Sequence, residues 1–304
     1  MKFVKYIIIV LVGIVISDFT ISFAIEHLMK NRYDERFYST FSSSAEVAIM
    51  GASRAAHHYV PQIISDSLHM TVANYGIDAQ NIITHYAVLQ SLLKNSLQKP
   101  KVVVLEIGAI DINDTPKWNT EKLNVLYPYF NSEDYIRTIL KDVLPPTEYL
   151  ILNLSGLYRH NSMLMRYIKP LLKQSSRGAD GYSPLHKRWN RPIQFEEEHG
   201  DTIYPKKVEY FDKFISLCRK EGIYLIFAVS PNYKKLPEQQ WEEKMRQIAD
   251  ANHIPLFYHE RDPLFLAHRE WFNEPFHMND DGARVYSAQI GREIRKLLEK
   301  EENN

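Results

Sequence analysis

Cysteine is almost absent: the 304-residue chain has one, Cys218, which excludes an internal disulfide. It lies in a helix-like stretch from Val208 to Lys220, where core packing is its simplest role. An excess of charge is also missing. Thirty-seven basic residues balance thirty-seven acidic ones, and the basic ones form no long face, so the electrostatic footprint of a nucleic-acid-binding protein is lacking. His253, His259 and His268 lack the spacing to carboxylates or cysteine that a zinc site requires, and nothing in the sequence implies a cofactor. Internal repeats and low-complexity tracts are absent as well. What the chain has is one long apolar run at its start and an alternation of strand-like and helix-like segments after it.

Lys2 and Lys5 precede an apolar run from Tyr6 to Ser17, which Asp18 interrupts and which resumes from Phe19 to Ile25. About a dozen apolar residues after a basic start make a signal-peptide core, whereas about twenty span a bilayer. Counted through Asp18, the run reaches about twenty. Ser22-Phe23-Ala24 offers a small-x-small cleavage site without an obvious mature start. An uncleaved signal anchor at 1–28 is therefore expected, ahead of a cleaved peptide or a buried helix. Lysines before the run place that end in the cytoplasm and the bulk of the chain outside. Residues 29–44, polar with scattered aromatics, read as a stalk.

Residues 45–304 suffice for one α/β domain with a full core. Ala56–Leu68 reads as helix, Thr71–Asn74 as strand, Asn81–Lys94 as helix and Val102–Ile107 as strand. The rhythm returns with helix Lys206–Glu221, strand Ile223–Val229, helix Glu238–Asn252, strand Pro255–Tyr258 and a final helix from Asp281 to Lys300. Such alternation predicts a parallel sheet with right-handed crossovers. Between the two halves, 112–204 holds helical stretches at Asn131–Leu144, Thr147–Leu157 and Asn161–Lys173 and a polar loop from Gln174 to Asp201. It reads as an insertion over the carboxyl edge of the sheet.

Two segments carry chemistry. In Ala45-Glu46-Val47-Ala48-Ile49-Met50-Gly51-Ala52-Ser53-Arg54 an apolar strand runs through a glycine into a serine at that edge, where open α/β sheets place their sites. A serine hydroxyl needs a base to take its proton, and a carboxylate to orient that base. Asn273-Glu274-Pro275-Phe276-His277-Met278-Asn279 supplies both, since Glu274 lies three residues before His277. Against this, a Gly-x-Ser turn after a strand is often only a helix N-cap. His57 and His58 follow the serine but would point along the helix, as surface or supporting residues. Asp111, Asn113 and Asp114 form a polar cluster after the third strand, most simply a loop bonded by its own side chains.

Thr71-Val72-Ala73-Asn74-Tyr75-Gly76-Ile77-Asp78-Ala79-Gln80 and Lys101-Val102-Val103-Val104-Leu105-Glu106-Ile107-Gly108-Ala109-Ile110-Asp111 complete four blocks in order. With them the chain resembles the SGNH, or GDSL-like, hydrolases over 45 to about 110 and 270 to 295. The resemblance implies a flavodoxin-like three-layer α/β fold with a five-stranded parallel sheet, preceded here by the N-terminal transmembrane helix. It makes Ser53 the nucleophile and first oxyanion donor, His277 the base, and Glu274 the replacement for the usual aspartate. Ala79 stands where the family has a glycine whose amide is the second donor. Ile110 stands where the family has an asparagine and donates nothing, so Asn113 or Asn81 would have to fill in, or the enzyme is slow; losing one such donor costs about a hundred- to a thousandfold.

A serine, a histidine and an oxyanion pocket specify acyl transfer. With water as acceptor the protein is an esterase, and with a glycan hydroxyl an O-acyltransferase; the sequence leaves both open. An anchor with an outward domain resembles family members that modify acylated polysaccharides of the bacterial envelope, with acetyl the implied acyl group and, in some of them, a membrane-bound O-acyltransferase as partner. Trp118, Tyr127, Tyr129, Tyr158, Arg159, His160, Arg188 and Trp189 in the insertion suit sugar faces and edges, or pack internally. The turn Ser230-Pro231-Asn232 sits at the same edge and is a further candidate for substrate contact. The rival reading is a catalytically weak domain that binds glycan or scaffolds an envelope assembly.

Overall fold

The computed structural model describes residues 2–29, 37, 39–115, 119–161, 178, 180–192, 202–233 and 239–302. In chain order the main elements are α1 (Lys2–Met29), β1 (Val47–Gly51), α2 (Ser53–His58), α3 (Pro61–Leu68), β2 (Val72–Asn74), α4 (Ile82–Asn95), β3 (Val102–Glu106) and α5 (Ala109–Ile112). There follow α6 (Asp134–Val143), α7 (Pro146–Leu154), α8 (Gly156–Asn161), α9 (Pro205–Lys220), β4 (Tyr224–Val229), α10 (Gln240–Asn252), β5 (Leu256–Tyr258), β6 (Phe272–Glu274), β7 (His277–Met278) and α11 (Asp280–Glu302). The chain divides into two compact units, Met1–Tyr38 with Thr120–Ser175, and Ser39–Asn119 with Ser176–Asn304.

In the first unit α1 is long and apolar enough to cross a membrane, judged by length and composition, and is almost wholly uncovered. The helix α6 hides Ile136, Ile139 and Leu140, a spacing that puts them on one face. The contacts of α1 are with α8, and this groups 120–175 with the N-terminus. The expected insertion 112–204 is thus divided, its ends staying with the sheet. Residues 30–36 and 38 of the stalk, the expected helix Asn161–Lys173 beyond Asn161, and Trp118 lie outside the described residues.

The second unit is a five-stranded parallel sheet in the order β2-β1-β3-β4-β5, the flavodoxin-like order. The sequence predicts this fold class. All five residues of β1 and of β3 are buried, as central strands covered on both faces require. One face, with Val47, Ile49, Val102, Val104, Ile226 and Ala228, packs on Tyr59, Ile64 and the Tyr286, Ile290 and Ile294 of α11. Each buried isoleucine contributes about 1.5–3 kcal/mol. On the other face Phe227 meets Phe211 of α9 with ring centres 6.0 Å apart. Cys218 is buried in α9, and burial pushes its thiol up to about 12.

The helix expected over Ala56–Leu68 is two helices. Pro61 disfavours helical geometry in the residue before it, so Tyr59 and Val60 are extended and α3 restarts at the proline. The switch point of the sheet lies between β1 and β3, and open α/β sheets bind ligands beyond the carboxyl ends of such strands. Ser53 and Gly108 follow those two ends.

Candidate active site

Gly51 closes β1 at φ +144°, and a Cβ there would lie 2.5 Å from the carbonyl oxygen of Glu106. Only glycine allows this passage beside the end of β3. The next residue, Ala52, is the N-cap of α2, and no side chain caps the helix. Ser53 is therefore not the capping serine that its motif allowed for. Its hydroxyl donates instead to His277 Nε2 at 2.6 Å.

His277 is held by a hairpin rather than by a helical turn. β6 and β7 pair Glu274 directly with His277 across Pro275-Phe276. His277 Nδ1 donates to Glu274 Oε1 in a short hydrogen bond, and the Phe276 amide donates to Glu274 Oε2 at 2.9 Å. Burial pushes the Glu274 carboxyl up, but the bond and charge of His277 and the amides of Phe276 and His277 outweigh it and hold the carboxyl below its ordinary value. A carboxylate at Nδ1 fixes the proton there and leaves Nε2 free to take one from Ser53. The structure thus brings Ser53, His277 and Glu274 into one hydrogen-bonded row.

Behind this row is a buried network that the sequence reading missed. The Met278 amide donates to His58 Nε2 at 3.0 Å, so His58 Nδ1 carries the proton and donates to Ser230 Oγ at 2.7 Å. Ser230 Oγ in turn donates to Glu106 Oε1 at 2.7 Å. Glu106 also accepts from Tyr59 and pairs with Arg54 Nε at 3.1 Å. Burial, then the neighbouring charges of His277, Arg54 and His57, keep His58 neutral well below the usual histidine range. Of the two roles expected for His58, surface or supporting, its full burial behind the row fits the supporting one, whereas His57 lines the cavity between the Ser183 carbonyl and Asp78. A signal was present in the sequence: Glu106 ends an otherwise apolar strand, and a charge fully buried there requires partners.

A cavity of about 650 Å³ opens over Ser53 and His277 and is also lined by Ala79, Gly108 and Ile110. Ala79 is left-handed at φ +59°, a conformation that costs a residue with a Cβ about 1 kcal/mol. Ala79→Gly should therefore raise stability by up to about 1 kcal/mol, read as the free energy of urea unfolding; a loss of stability would show that the side chain packs usefully. The expected substitute donors are corrected. Neither Asn81 nor Asn113 lines the cavity. Asn81 caps α4 by accepting from the Ile83 amide at 3.0 Å, and the Asn113 carbonyl accepts from Lys207 Nζ at 2.7 Å. Lys207 also holds the Ile110 carbonyl at 2.8 Å and so fixes this loop from α9. Of the Ser230-Pro231-Asn232 turn, Asn232 reaches the cavity.

Elsewhere in the cavity lining Glu260 and Glu242 flank the Tyr258 hydroxyl, 3.0 and 2.8 Å from it, with Arg261 on Glu242 and Arg54 4.0 Å from Glu260. Burial pushes the Glu260 carboxyl up to about 7, against the pull of Arg54. With the unfolded value near 4.5, the native state holds the proton more tightly between these limits. Stability from this group is full at low pH and falls as pH rises through that window. Glu260→Gln should raise the melting temperature at pH 8 more than at pH 5, whereas an equal shift at both would place the effect elsewhere.

Among the described residues of the sheet unit, the insertion's Trp189 is not in the lining of this cavity. Tyr127, Tyr129 and Trp189 are buried, as are Arg159 and His160; Tyr158 bonds Glu148, and Arg188 is exposed and paired with Asp281. Trp189 packs on Tyr233 and under Arg269. Among the described residues Trp241 and Phe276 line the cavity, the second beside His277 in its hairpin. Among the described residues no group of three or more His, Cys, Asp or Glu is placed to hold a metal ion.

No protein-family model matches the chain, and no curated protein sequence matches it significantly. It is similar to solved structures of a protein assigned to the G-D-S-L lipolytic family from Desulfitobacterium hafniense (10% identity, 81% of this chain and 97% of that one, TM-score 0.42) and of a protein described as an acylhydrolase from Bacteroides fragilis (11%, 88% and 96%, 0.39). An acetyl xylan esterase is similar at 15% identity, over 80% and 97% of the two chains, with a TM-score of 0.39. The chemistry of the site rests on its own side chains.

Proposed function

We propose that the chain is an SGNH-type serine hydrolase that cleaves or transfers acyl esters through an acyl-serine, anchored in a membrane by α1. The observation that carries this reading is the row Ser53 Oγ, His277 Nε2, His277 Nδ1, Glu274 at the mouth of the cavity. Ser53 Oγ attacks the ester carbonyl carbon while its proton passes to His277 Nε2, and ionised Glu274 stabilises the imidazolium. The oxyanion so formed is met by the backbone amides of Ser53 and Ala79. Collapse expels the alcohol with the proton from His277 and leaves the acyl group on Ser53. A water or a glycan hydroxyl then gives its proton to His277 and takes the acyl group.

A glycan substrate is supported by Trp241 and Phe276 beside the acidic and amide groups of Asp78, Glu242, Glu260 and Asn232 in one cavity, a mixture that suits sugar faces and hydroxyls. By resemblance the acyl group is acetyl, the glycan belongs to the bacterial envelope, and a membrane-bound O-acyltransferase supplies the donor. Lys2 and Lys5 would hold the N-terminus in the cytoplasm and the site outside. The full chain in detergent should take up a fluorophosphonate at Ser53 and release acetate from an acetylated glycoside; labelling at another residue sinks the assignment.

Ile110 on the cavity wall favours a second reading, a slow enzyme or glycan-binding domain. Ile110→Asn restores the side-chain donor and should raise kcat on a simple acetyl ester by about tenfold or more. A folded variant with lower activity means that other groups complete the oxyanion site.

A further inference from the structure

The run from Tyr6 to Ile25 contains one charged residue, Asp18. Twenty helical residues measure about 30 Å, the thickness of the hydrocarbon core, which puts Asp18 about 4 Å beyond its middle. A carboxylate at that depth is costly unless protein surrounds it. Its partners are at the start of α8. Ser155 Oγ donates to Asp18 Oδ1 at 2.6 Å, the Gly156 amide to Oδ2 at 2.8 Å and the Leu157 amide to Oδ1 at 3.2 Å. Ser155 Oγ also accepts from the Tyr158 amide at 3.1 Å, so the serine caps α8 and ties it to α1 at once.

From there α8 follows α1 outward. One turn on, a Cβ at Gly156 would lie 2.2 Å from Ser22 Oγ, the close backbone approach that small residues give membrane helices. One turn further, His160 Nε2 lies 3.7 Å from Glu26 Oε1. Asp18, Ser22 and Glu26 thus form one polar and small-residue face of α1, and it is taken by α8. The preceding helix α7 turns Leu150, Ile151 and Leu154 outward, with exposures of 56%, 42% and 74%. Leu154 stands next to the residue that holds Asp18. Placing α7 and α8 in water would leave α1 only Tyr6 to Ser17 to span the bilayer, about 18 Å of helix, and would expose these leucines together with Phe19 and Phe23.

We propose that α7 and α8 form a re-entrant hairpin that enters the outer half of the bilayer beside α1, with Leu150, Ile151 and Leu154 against lipid acyl chains and Asp18 as the group that fixes its depth. The inference rests on the reading of α1 as a membrane anchor. Irregular backbone at the α7–α8 turn is tolerable there because Asp18 satisfies its amides from within the protein.

The test uses the full chain with Cys218→Ala, single cysteines Leu154→Cys, Phe19→Cys or Leu97→Cys carrying bimane, and phosphatidylcholine–phosphatidylglycerol vesicles with a nitroxide on acyl carbon 12. Labels at 154 and 19 should be quenched several-fold more by the lipid nitroxide than the label at 97, and should resist aqueous iodide. If the label at 19 behaves so while that at 154 is quenched by iodide instead, the hairpin is overturned and the anchor stands. Iodide quenching at both overturns the anchor and the hairpin with it. Adding Asp18→Ala should expose the label at 154 to iodide while that at 19 stays in lipid; unchanged quenching at 154 would remove Asp18 from its role.

Discussion

Alanine at position 53 should abolish fluorophosphonate labelling and slow ester cleavage by about 10⁴- to 10⁶-fold, while the melting temperature stays nearly unchanged. The rate falls so far because nothing else in the row has a nucleophile: His277 and Glu274 only move and stabilise the proton. Stability is spared because Ser53 caps no helix and its one described side-chain bond is to His277. Labelling and cleavage measured on the same purified variant settle the point. Activity surviving within tenfold would mean that the reacting serine is another residue, and the row beside the cavity would need a different explanation.

Glu274→Gln is expected to lower kcat by about 10³- to 10⁴-fold. Glutamine preserves the shape but removes the charge, and its amide can offer Nδ1 a donor where an acceptor is needed, which favours the wrong tautomer. The Glu274 carboxyl lies below its ordinary value, so it is ionised across the neutral range. The stability it adds is present above the unfolded value and is lost as pH falls through the lowered folded one. Asp78, 3.3 Å from His57, is a further carboxylate in the cavity lining. A silent Glu274→Gln beside a crippling Asp78→Asn, measured as kcat on one acetyl ester, would transfer the orienting role.

Much of the sheet unit was legible because its signals are local. Val47–Gly51 and Val102–Glu106 are apolar runs of strand length, and both are fully buried central strands. The single helix expected over Ala56–Leu68 is broken before Pro61 because the proline holds Val60 extended, a local restriction that outweighs helical continuity. Glu274 and His277 stood out by their separation of three, which fits a helical turn as well as the hairpin that holds them. What sequence could not give was the network of His58, Ser230 and Glu106, since its partners lie as many as 220 positions apart. The substitutes proposed for Ile110 failed for a related reason. Asn81 is two residues from Ala79 in sequence, but its side chain sits at the start of α4, where Oδ1 accepts from the Ile83 amide, and it does not line the cavity. The partnership of 120–175 with α1 depends on Asp18 finding Ser155, and a lone acid in an apolar run does not name its partner.

The base of the row rides on a strand of only two residues in a two-stranded sheet, an arrangement that is marginal in water by itself. Its backbone is nevertheless tied, through one imidazole and one hydroxyl, to a carboxylate at the end of a central strand. Loosening the hairpin therefore means breaking bonds in the middle of the sheet, where each orphaned group costs about 1–3 kcal/mol. Chemical competence and tertiary order become one cooperative unit. Warming or mild denaturation should therefore remove activity and the order of the sheet's carboxyl edge together.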